Sequence, residues 1–476
     1  MKRWLLLPMT LLLAGCLSAP PRKAVDLEAA PPEQWSSGAA PAGAVDERWW
    51  ESFADPALAE LVDRALERNT DLQAAAARLD AASASARIAG AERLPTASAG
   101  VTAARQQQNF IGFPFGPPGG GVPSTTSTRL GLSLDTSWEI DLWGRIRAGA
   151  RASVAEAQAA EADLRGARLS IAGRTAKIWF AVVEARQQLE LAEASVESFR
   201  LSVDQVRSRY EAGIRPALDM RLALSNLSSA EALAERRRAQ LDGLARRLEA
   251  LLGDYPDASL LERHRTEALP PTPPPVPAGL PAELIARRPD LVAAERRLVA
   301  ADHRYKAARR ALYPRLALTA GGGTASDSLT DLLDGDFRVW SLIGNLTQPL
   351  FQGGKLRAGV ERADAQGREA LARYVRQVLD AYTEVESALA AERHLGEQER
   401  HLARTAEQLT AARRLAERRY RNGVGIYLVV LESQSRSLAA ESELLVVRRL
   451  RLEKRIDLHL ALGGGFAGPG ASRSDS

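Results

Sequence analysis

The sequence predicts an α+β protein made of two repeated halves, each with long coiled-coil helices and two amphipathic strands. A corner that begins at Tyr210 begins again at Tyr420, 420 − 210 = 210 residues later. Apolar side chains recur at heptad spacing in the long segments beside each corner, one short segment alternates strictly between apolar and polar residues, and three others are weaker strand candidates. The period is far too long for a solenoid, so we expect two copies of one structural unit.

Composition limits the class of protein. The chain has 476 residues, of which 45% are apolar but only 5% are aromatic. Ala, Leu, Arg and Glu dominate long stretches, which suits thin helical bundles better than the compact core of an enzyme. The net charge of +4 comes from arginines spread beside glutamates along the helices. We therefore predict solvated helix faces and no nucleic-acid partner.

The N-terminus predicts export from the cytoplasm. Two basic residues precede a short apolar run that ends in LAGC, which predicts a signal peptide over 1–15. LAGC also resembles the lipobox of bacterial lipoproteins, in which the peptide is cut before the cysteine and that cysteine carries a lipid. Cys16 would then be the lipid attachment site, and Leu17 in place of an aspartate favours the outer membrane. Residues 16–47, rich in Pro, Ala and Ser, predict an extended tether.

The first half is predicted over 48–253, in the order helix, strand, strand, long helix, tip and return helix. Its elements are expected as strands near 95–107 and 126–140, a long helix over 145–212 and a return helix over 216–253.

The second half is predicted over 282–464 and repeats the same order. The Pro-rich stretch 254–281 joins the halves, and 465–476 is predicted to be a flexible tail. The elements of this half are expected as strands near 314–322 and 337–350, a long helix over 354–422 and a return helix over 427–462.

The long helices carry a coiled-coil seam. On the first, one apolar or small series recurs every seven residues from Leu164 to Val206, and a second runs from Val182 to Tyr210. The segment 145–212 contains no proline, and at about 1.5 Å per residue it would extend on the order of 100 Å. A soluble globular domain has no use for a helix of this length.

The strand at 126–140 alternates strictly. Leu130, Leu132, Leu134 and Trp138 fall on one face, with polar or small residues between them. Such a strand could line a sandwich, but it also suits a membrane barrel whose apolar face meets lipid. Four strands cannot close a barrel, since the smallest filled barrels need roughly eight. The chain must therefore oligomerise if it forms a barrel.

Several motifs in fixed order carry a family resemblance. The segments RWWESFADPALAELVDRAL, WEIDLWGR, QPLFQGGKLRAG and RYRNGVGIYLVVLESQ, together with the lipobox, resemble the TolC-like outer-membrane efflux factors, lipoprotein or NodT-type branch. The resemblance covers essentially the whole mature chain. It implies an α+β membrane protein, a homotrimer whose three chains form a twelve-stranded outer-membrane barrel continued by a helical tunnel through the periplasm.

The resemblance also implies a function and partners. A protein of this family is a passive conduit for small molecules such as drugs, and it works with a periplasmic adaptor and an inner-membrane pump, usually of the resistance-nodulation-division type. The implied location is the outer membrane, lipid-anchored through Cys16, with no cofactor besides that covalent lipid.

The repeated corners are the candidate functional site. In this family the tunnel closes where inner helices converge, and acidic residues commonly line the constriction. Asp219 and Glu432 match such positions, whereas Val429, opposite Asp219 in the repeat, departs from the pattern. Copies of one carboxylate around a narrow pore would focus a negative potential, favour cations and make closure sensitive to pH.

Other tip residues are candidates for contacts and turns. Tyrosine and arginine contacts hold the tunnel shut in this family, which makes Arg215, Tyr420 and Arg421 the candidates for contacts between neighbouring helix pairs. Gly213 and Gly423 are expected to supply positive backbone angles at the turns.

Other classes of protein are weaker interpretations. No nucleophile or phosphate-binding motif is present, and His394 and His401 lack the carboxylate spacing of a zinc site, so we predict neither an enzyme nor a metal protein. A duct for a type I protein secretion system would use the same fold, and the sequence does not distinguish it. A periplasmic coiled-coil adaptor would share the heptads and the lipobox, but would need one hairpin and no lipid-facing strands.

Overall fold

The first half of the chain folds into four helices and two strands. The computed structural model describes residues 34–36, 46–111, 122–264, 266, 268–277, 279 and 281–464, so the predicted signal peptide, Cys16 and the tail lie outside the described residues. After a 3₁₀ turn at Trp49–Phe53, the elements are α1 (Pro56–Arg68), α2 (Thr70–Ala91), β1 (Thr96–Asn109), β2 (Ser124–Ile140), α3 (Arg145–Glu211) and α4 (Ala217–Leu252).

The second half repeats this order after a connection that holds two short helices. Two 3₁₀ turns, Thr330–Leu333 and Gly335–Phe337, join its strands. The elements are α5 (Leu260–Arg263), α6 (Pro281–Arg287), α7 (Pro289–Arg310), β3 (Arg315–Ser326), β4 (Arg338–Thr347), α8 (Lys355–Arg421) and α9 (Tyr427–Ala461).

The two long helices, α3 and α8, have the same length and the same kind of start. Each has 67 residues and follows a glycine with positive φ, Gly144 at 80° and Gly354 at 82°. Asp141 accepts hydrogen bonds from the backbone N–H groups of Ile146 and Arg147, which satisfies donors that the first turn of α3 leaves free. At about 1.5 Å per residue each helix is about 100 Å long. No helix in the described part of the chain is both long and apolar enough to cross a membrane.

One antiparallel sheet, in the order β1-β2-β3-β4, joins the two halves. The halves meet where β2 pairs with β3, with Trp138 opposite Leu318. Every residue of β1 and of β4 is exposed, including apolar side chains such as Val101 and Trp340. Among the residues that the structure describes, β1 and β4 each pair along one edge only, and an unpaired edge presents a row of free backbone groups.

The largest core cluster surrounds the middle of α3. Trp49, Trp50 and Phe53 from the first 3₁₀ turn pack there against Trp179 and Phe180 of α3, together with apolar residues of α1 and α4. We call this layer, with its counterpart in the second half, the belt. Because α1 and the 3₁₀ turn lie outside the coiled coil, they bury aromatic side chains that the thin helical layer alone would leave in water.

The counterpart in the second half contains a residue from far upstream. Trp35 is 6% exposed, and its indole N–H donates to the Gly279 carbonyl over 3.0 Å. Its ring meets that of Tyr382 edge-on at 6.1 Å, and the backbone N–H of Ser36 donates to Glu386 of α8. The sequence predicted that Trp35 lies in an extended tether, whereas its side chain is docked on the second half of the chain. The reason is that burial against an apolar surface stabilises a large aromatic ring.

Candidate functional site

Each hairpin tip is a tight turn that ends a long helix. At the first tip Gly213 has a φ of 74°, and the backbone N–H of Ile214 donates to the Arg209 carbonyl over 2.8 Å. This pattern closes the last turn of a helix and requires a residue that tolerates positive φ. The second tip has the same bonds one repeat later, with Gly423 at 81°.

The two tips of one chain contact each other through Tyr420. This side chain is 1% exposed, and its ring lies 5.6 Å from that of Tyr427. From the first tip, the guanidinium of Arg209 lies 4.4 Å from the centre of the Tyr420 ring and that of Arg215 lies 5.5 Å away. Cations over an aromatic face are attracted by the ring quadrupole. Tyr420 therefore joins the tips by packing and by charge.

Backbone carbonyls of the second tip add to this junction. Arg209 donates to the carbonyl of Arg421 and Arg215 donates to the carbonyl of Gly425, each over 2.9 Å. The side chain of Arg421 is exposed, so its backbone takes part in the junction and its guanidinium faces solvent. Arg215 and Tyr420, which the sequence predicted as contact residues, are therefore both part of this junction, and they contact each other there.

A small apolar core supports the junction. Phe199, Val203 and Val206 of α3 pack there with Tyr427 and Val430 of α9. Burial, helped by the nearby Tyr420 and Asp219, raises the pKa of the Tyr427 hydroxyl well above its usual range, so the ring stays neutral. In contrast, Tyr210 is 45% exposed although it is the repeat counterpart of Tyr420.

The two predicted acidic residues lie in different surroundings. Asp219 is half-buried in the first turn of α4, close enough to Tyr427 to affect its pKa. Glu432 is exposed on α9 and forms an ion pair of 2.6 Å with Arg436, one turn further along the helix. The Arg436 charge offsets that of Glu432, so Asp219 is the stronger source of negative potential at the tips.

Two residues of the junction were not among the sequence predictions. The repeat gave a signal for Arg209, since an arginine precedes the tyrosine at both corners, as Arg209 and Arg419. Tyr427 gave none, because its repeat counterpart is Ala217. Elsewhere in the described ranges, no three His, Cys, Asp or Glu side chains are grouped so that they could hold a metal ion.

Comparison with known proteins identifies the family. The model of the family described as "Outer membrane efflux protein" matches residues 61–254 and 280–464, which are most of both halves. The chain belongs to the outer membrane efflux protein family.

Members of the outer membrane efflux protein family resemble this chain over almost its full length. SrpC, a solvent efflux pump outer membrane protein of Pseudomonas putida, is 34% identical over 97% of this chain and 98% of its own. OpmQ, a pyoverdine export outer membrane protein of Pseudomonas putida, is 31% identical over 98% of both. The structure of the outer-membrane channel OprN superposes with a TM-score of 0.84 at 29% identity, covering 94% of this chain and 99% of that one.

Proposed function

We propose that this chain is the outer-membrane channel of a tripartite efflux system. Three copies form it, and each contributes four strands to a twelve-stranded barrel and two helical hairpins to a periplasmic tunnel. The free edges of the four-stranded sheet are the observation that carries this proposal. A sheet whose outer strands, β1 and β4, are exposed along their whole length and are each paired on one edge only among the described residues is stable in a membrane only when closed into a barrel.

The cargo of the proposed channel is a small molecule. OpmQ and SrpC are named for the export of pyoverdine and of solvents, which favours small molecules over the polypeptides of a type I secretion system. Energy and selection come from the partners, a periplasmic adaptor and an inner-membrane pump of the resistance-nodulation-division type. The chain itself is a passive conduit with no catalytic role.

Lipid anchoring is the second part of the proposal. Cys16 carries the lipid, and Trp35, 35 − 16 = 19 residues later, is docked in the belt. Nineteen residues span at most about 65 Å when fully extended. The lipid therefore inserts in the outer membrane within that distance of the belt, which limits how far the belt lies from the bilayer. Replacing Cys16 by Ala is expected to abolish the incorporation of labelled palmitate into the protein.

Gating is the third part. The junction around Tyr420 holds the hairpins of each chain together at the closed end of the tunnel. Asp219, repeated in three copies, gives this end a negative potential that favours cations. Gly213 and Gly423 make the turns.

The function is tested with the full-length protein in its own host. Deletion of the gene is expected to lower tolerance to solvents and dyes at least fourfold. The protein purified from the outer membrane is expected to have three times the 51.4 kDa chain mass, apart from the processed signal peptide, and to conduct ions in planar bilayers. A monomer without conductance would refute the channel. Loss of a secreted polypeptide with unchanged tolerance would favour the secretion duct instead.

A further inference from the structure

One face of the sheet carries apolar side chains from all four strands. Val101 of β1 pairs with Leu132 of β2, and Leu132 pairs with Thr324 of β3. Thr324 in turn pairs with Arg338 of β4. Cross-strand partners share a face, and so does every second residue along each strand. We call this face, on which Trp138 also lies, the lipid face, because it meets the bilayer in the proposed barrel.

The lipid face has the height of a bilayer core. On β2 its mostly apolar side chains run from Leu130 to Ile140, 140 − 130 = 10 residues, or about 33 Å along the strand. Strands of membrane barrels tilt by about 40°, which reduces this length to a height of about 25 Å, the apolar band of such barrels. Trp340 lies near the loop end of the band and Trp138 near the helix end, where aromatic girdles bound it. With the long helices in the periplasm, the loop end lies in the outer leaflet.

An arginine ends the apolar band at its outer edge on each of the two edge strands. Arg105 of β1 lies 105 − 97 = 8 residues outward from Ala97 on the lipid face. Arg338 of β4 lies 346 − 338 = 8 residues outward from Leu346 on the same face, just past Trp340. Ala97 and Leu346 are the lipid-face residues nearest the helices in these strands. The two arginines therefore lie at matching depths.

In the four described strands, no negative charge shares the lipid face with these arginines. The carboxylates of the strands, Asp135 and Glu139, alternate onto the other face, as does Arg129. Arg105 and Arg338 are exposed, and in the described part of the chain neither forms an ion pair with a carboxylate. A charge at the edge of the hydrocarbon region needs a partner. Here we expect that partner in the membrane surface.

The two arginines come together between chains. β1 and β4 lie at opposite edges of the four-stranded sheet. When three copies close the proposed barrel, β4 of one copy lies beside β1 of the next, and neighbouring strands are about 4.8 Å apart. Arg338 of one copy and Arg105 of the next then form a pair on the lipid face, once at each seam. This step rests on the proposed homotrimer.

We propose that each pair binds a phosphate group of lipopolysaccharide, the phosphorylated glycolipid of the outer leaflet. A guanidinium donates two parallel hydrogen bonds to a phosphate, and two guanidinium groups balance its charge. The depths agree, since the phosphates lie where the acyl chains end and the arginines lie where the apolar band ends. The Trp340 ring lies at the same boundary, which aromatic side chains favour. The lipid thereby bridges two copies and stabilises the seam between them.

Substitutions that remove the charge but keep a long polar side chain test this inference in the full-length protein. Arg105→Gln and Arg338→Gln are made separately and together. Arg129→Gln is the matched control, because Arg129 is exposed and pairs with Ala104, next to Arg105, but lies on the other face of the sheet. Each protein is purified in detergent and freed of lipid, and its native mass is measured first.

Lipid A, the phosphorylated anchor of lipopolysaccharide, is the probe. Its binding is followed by native mass spectrometry and by the rise in melting temperature. Lipid A without its phosphates and inorganic phosphate are tested at the same concentrations. The unsubstituted and Arg129→Gln trimers are expected to bind lipid A at each seam. The double variant is expected to need about tenfold more lipid A for the same rise, and each single variant an intermediate amount.

Lipid A without phosphates is expected to bind every protein as weakly as lipid A binds the double variant. Unchanged lipid A binding by the double variant would overturn the inference, and so would an equal loss in Arg129→Gln or an equal rise with inorganic phosphate. If the protein is a trimer in any of these cases, the proposed channel stands without the lipid site. A monomer in the native measurement would remove both the channel and the seam.

Discussion

The guanidinium of Arg209 lies 4.4 Å from the centre of the Tyr420 ring and joins the two hairpin tips of one chain. Arg209 lies in the last turn of α3 and Tyr420 in the last turn of α8, so two residues 420 − 209 = 211 positions apart meet at the ends of the two long helices. The contact brings together the first and second copies of the repeat, because Arg209 supplies the cation and Tyr420 the aromatic ring.

Replacing Arg209 by Ala is expected to loosen the closed end of the tunnel. A cation over an aromatic ring contributes about 1 kcal/mol, which corresponds to about a fivefold shift between closed and open junctions. Single-channel conductance in planar bilayers should therefore rise. Arg421→Ala is the matched control, because the Arg421 guanidinium is exposed and only its backbone carbonyl contacts Arg209. Tyr420→Phe, which keeps the ring, should also behave like the unsubstituted protein; a leak in either control would contradict the role of the ring contact.

Neutralising Asp219 should lower the preference for cations. Asp219→Asn removes one negative charge per chain from the first tip, and the ratio of cation to anion permeability in bilayers of unequal salt concentration should fall. Replacing Glu432 and Arg436 together by Gln is the control, since their ion pair carries no net charge. If that double variant changes the ratio as much as Asp219→Asn, Asp219 is not the main source of the potential. The combined Asp219→Asn and Glu432→Gln variant should lower the ratio further than either alone.

Acid should destabilise the belt through His459. This side chain is 6% exposed and stacks on Trp49 at 5.1 Å, and burial, with the nearby positive Arg455, lowers its pKa from 6.5 to about 3. The unfolded chain binds a proton near pH 6.5 and the folded one does not. The contribution to stability is therefore complete above pH 6.5 and falls as the pH drops toward 3, by about 2 kcal/mol at pH 5.

The His459 effect is measured from the melting temperature of the purified protein at pH 7 and pH 5. His459→Phe keeps a ring against Trp49 but does not titrate, so it should lose less stability between the two pH values than the unsubstituted protein. His394→Gln, at an exposed position, should leave the difference unchanged. An identical pH dependence in the Phe variant would show that His459 does not bind a proton on unfolding.

Trp35 should stabilise the second half of the belt. Trp35→Ala removes a buried aromatic ring, a change that costs about 3 to 5 kcal/mol in protein cores. Trp35→Phe keeps the packing against Tyr382 and loses the hydrogen bond to Gly279, at a cost of about 1 kcal/mol. In thermal unfolding and in trypsin cleavage near residue 35, the Ala variant should be the least stable, the Phe variant intermediate and the unsubstituted protein the most stable. Equal stability of the Ala variant would mean that Trp35 only rests on the surface.

The sequence predicted the helical part of the fold closely, because heptads and glycine turns are local signals. The first long helix was expected over 145–212 and runs Arg145–Glu211. The seam residues Ile171, Ala185 and Val206 are buried. The four strands lie within a few residues of their expected positions. Barrel closure could not be read from one chain, since it requires edges supplied by other copies.

At the tips the sequence indicated the place but not the unequal roles of the two copies. Tyr210 and Tyr420 occupy the same repeat position, yet only Tyr420 is buried, because Tyr427 and Arg215 have no counterparts in the other copy. The ion pair of Glu432 with Arg436 follows helical spacing and was readable in advance. The burial of Trp35 was not, since it depends on a surface formed more than two hundred residues later in the chain.

The equal lengths of α3 and α8 have a consequence for how proteins of this shape change size. Both helices follow strands of one sheet, so their tips lie at the same depth only while the two helices are equally long, as they are here with 67 residues each. A heptad deleted from one hairpin would shorten it by about 10 Å and leave an uneven rim. The span of such a conduit can therefore evolve only by paired insertions or deletions, matched in both halves and in both arms of each hairpin.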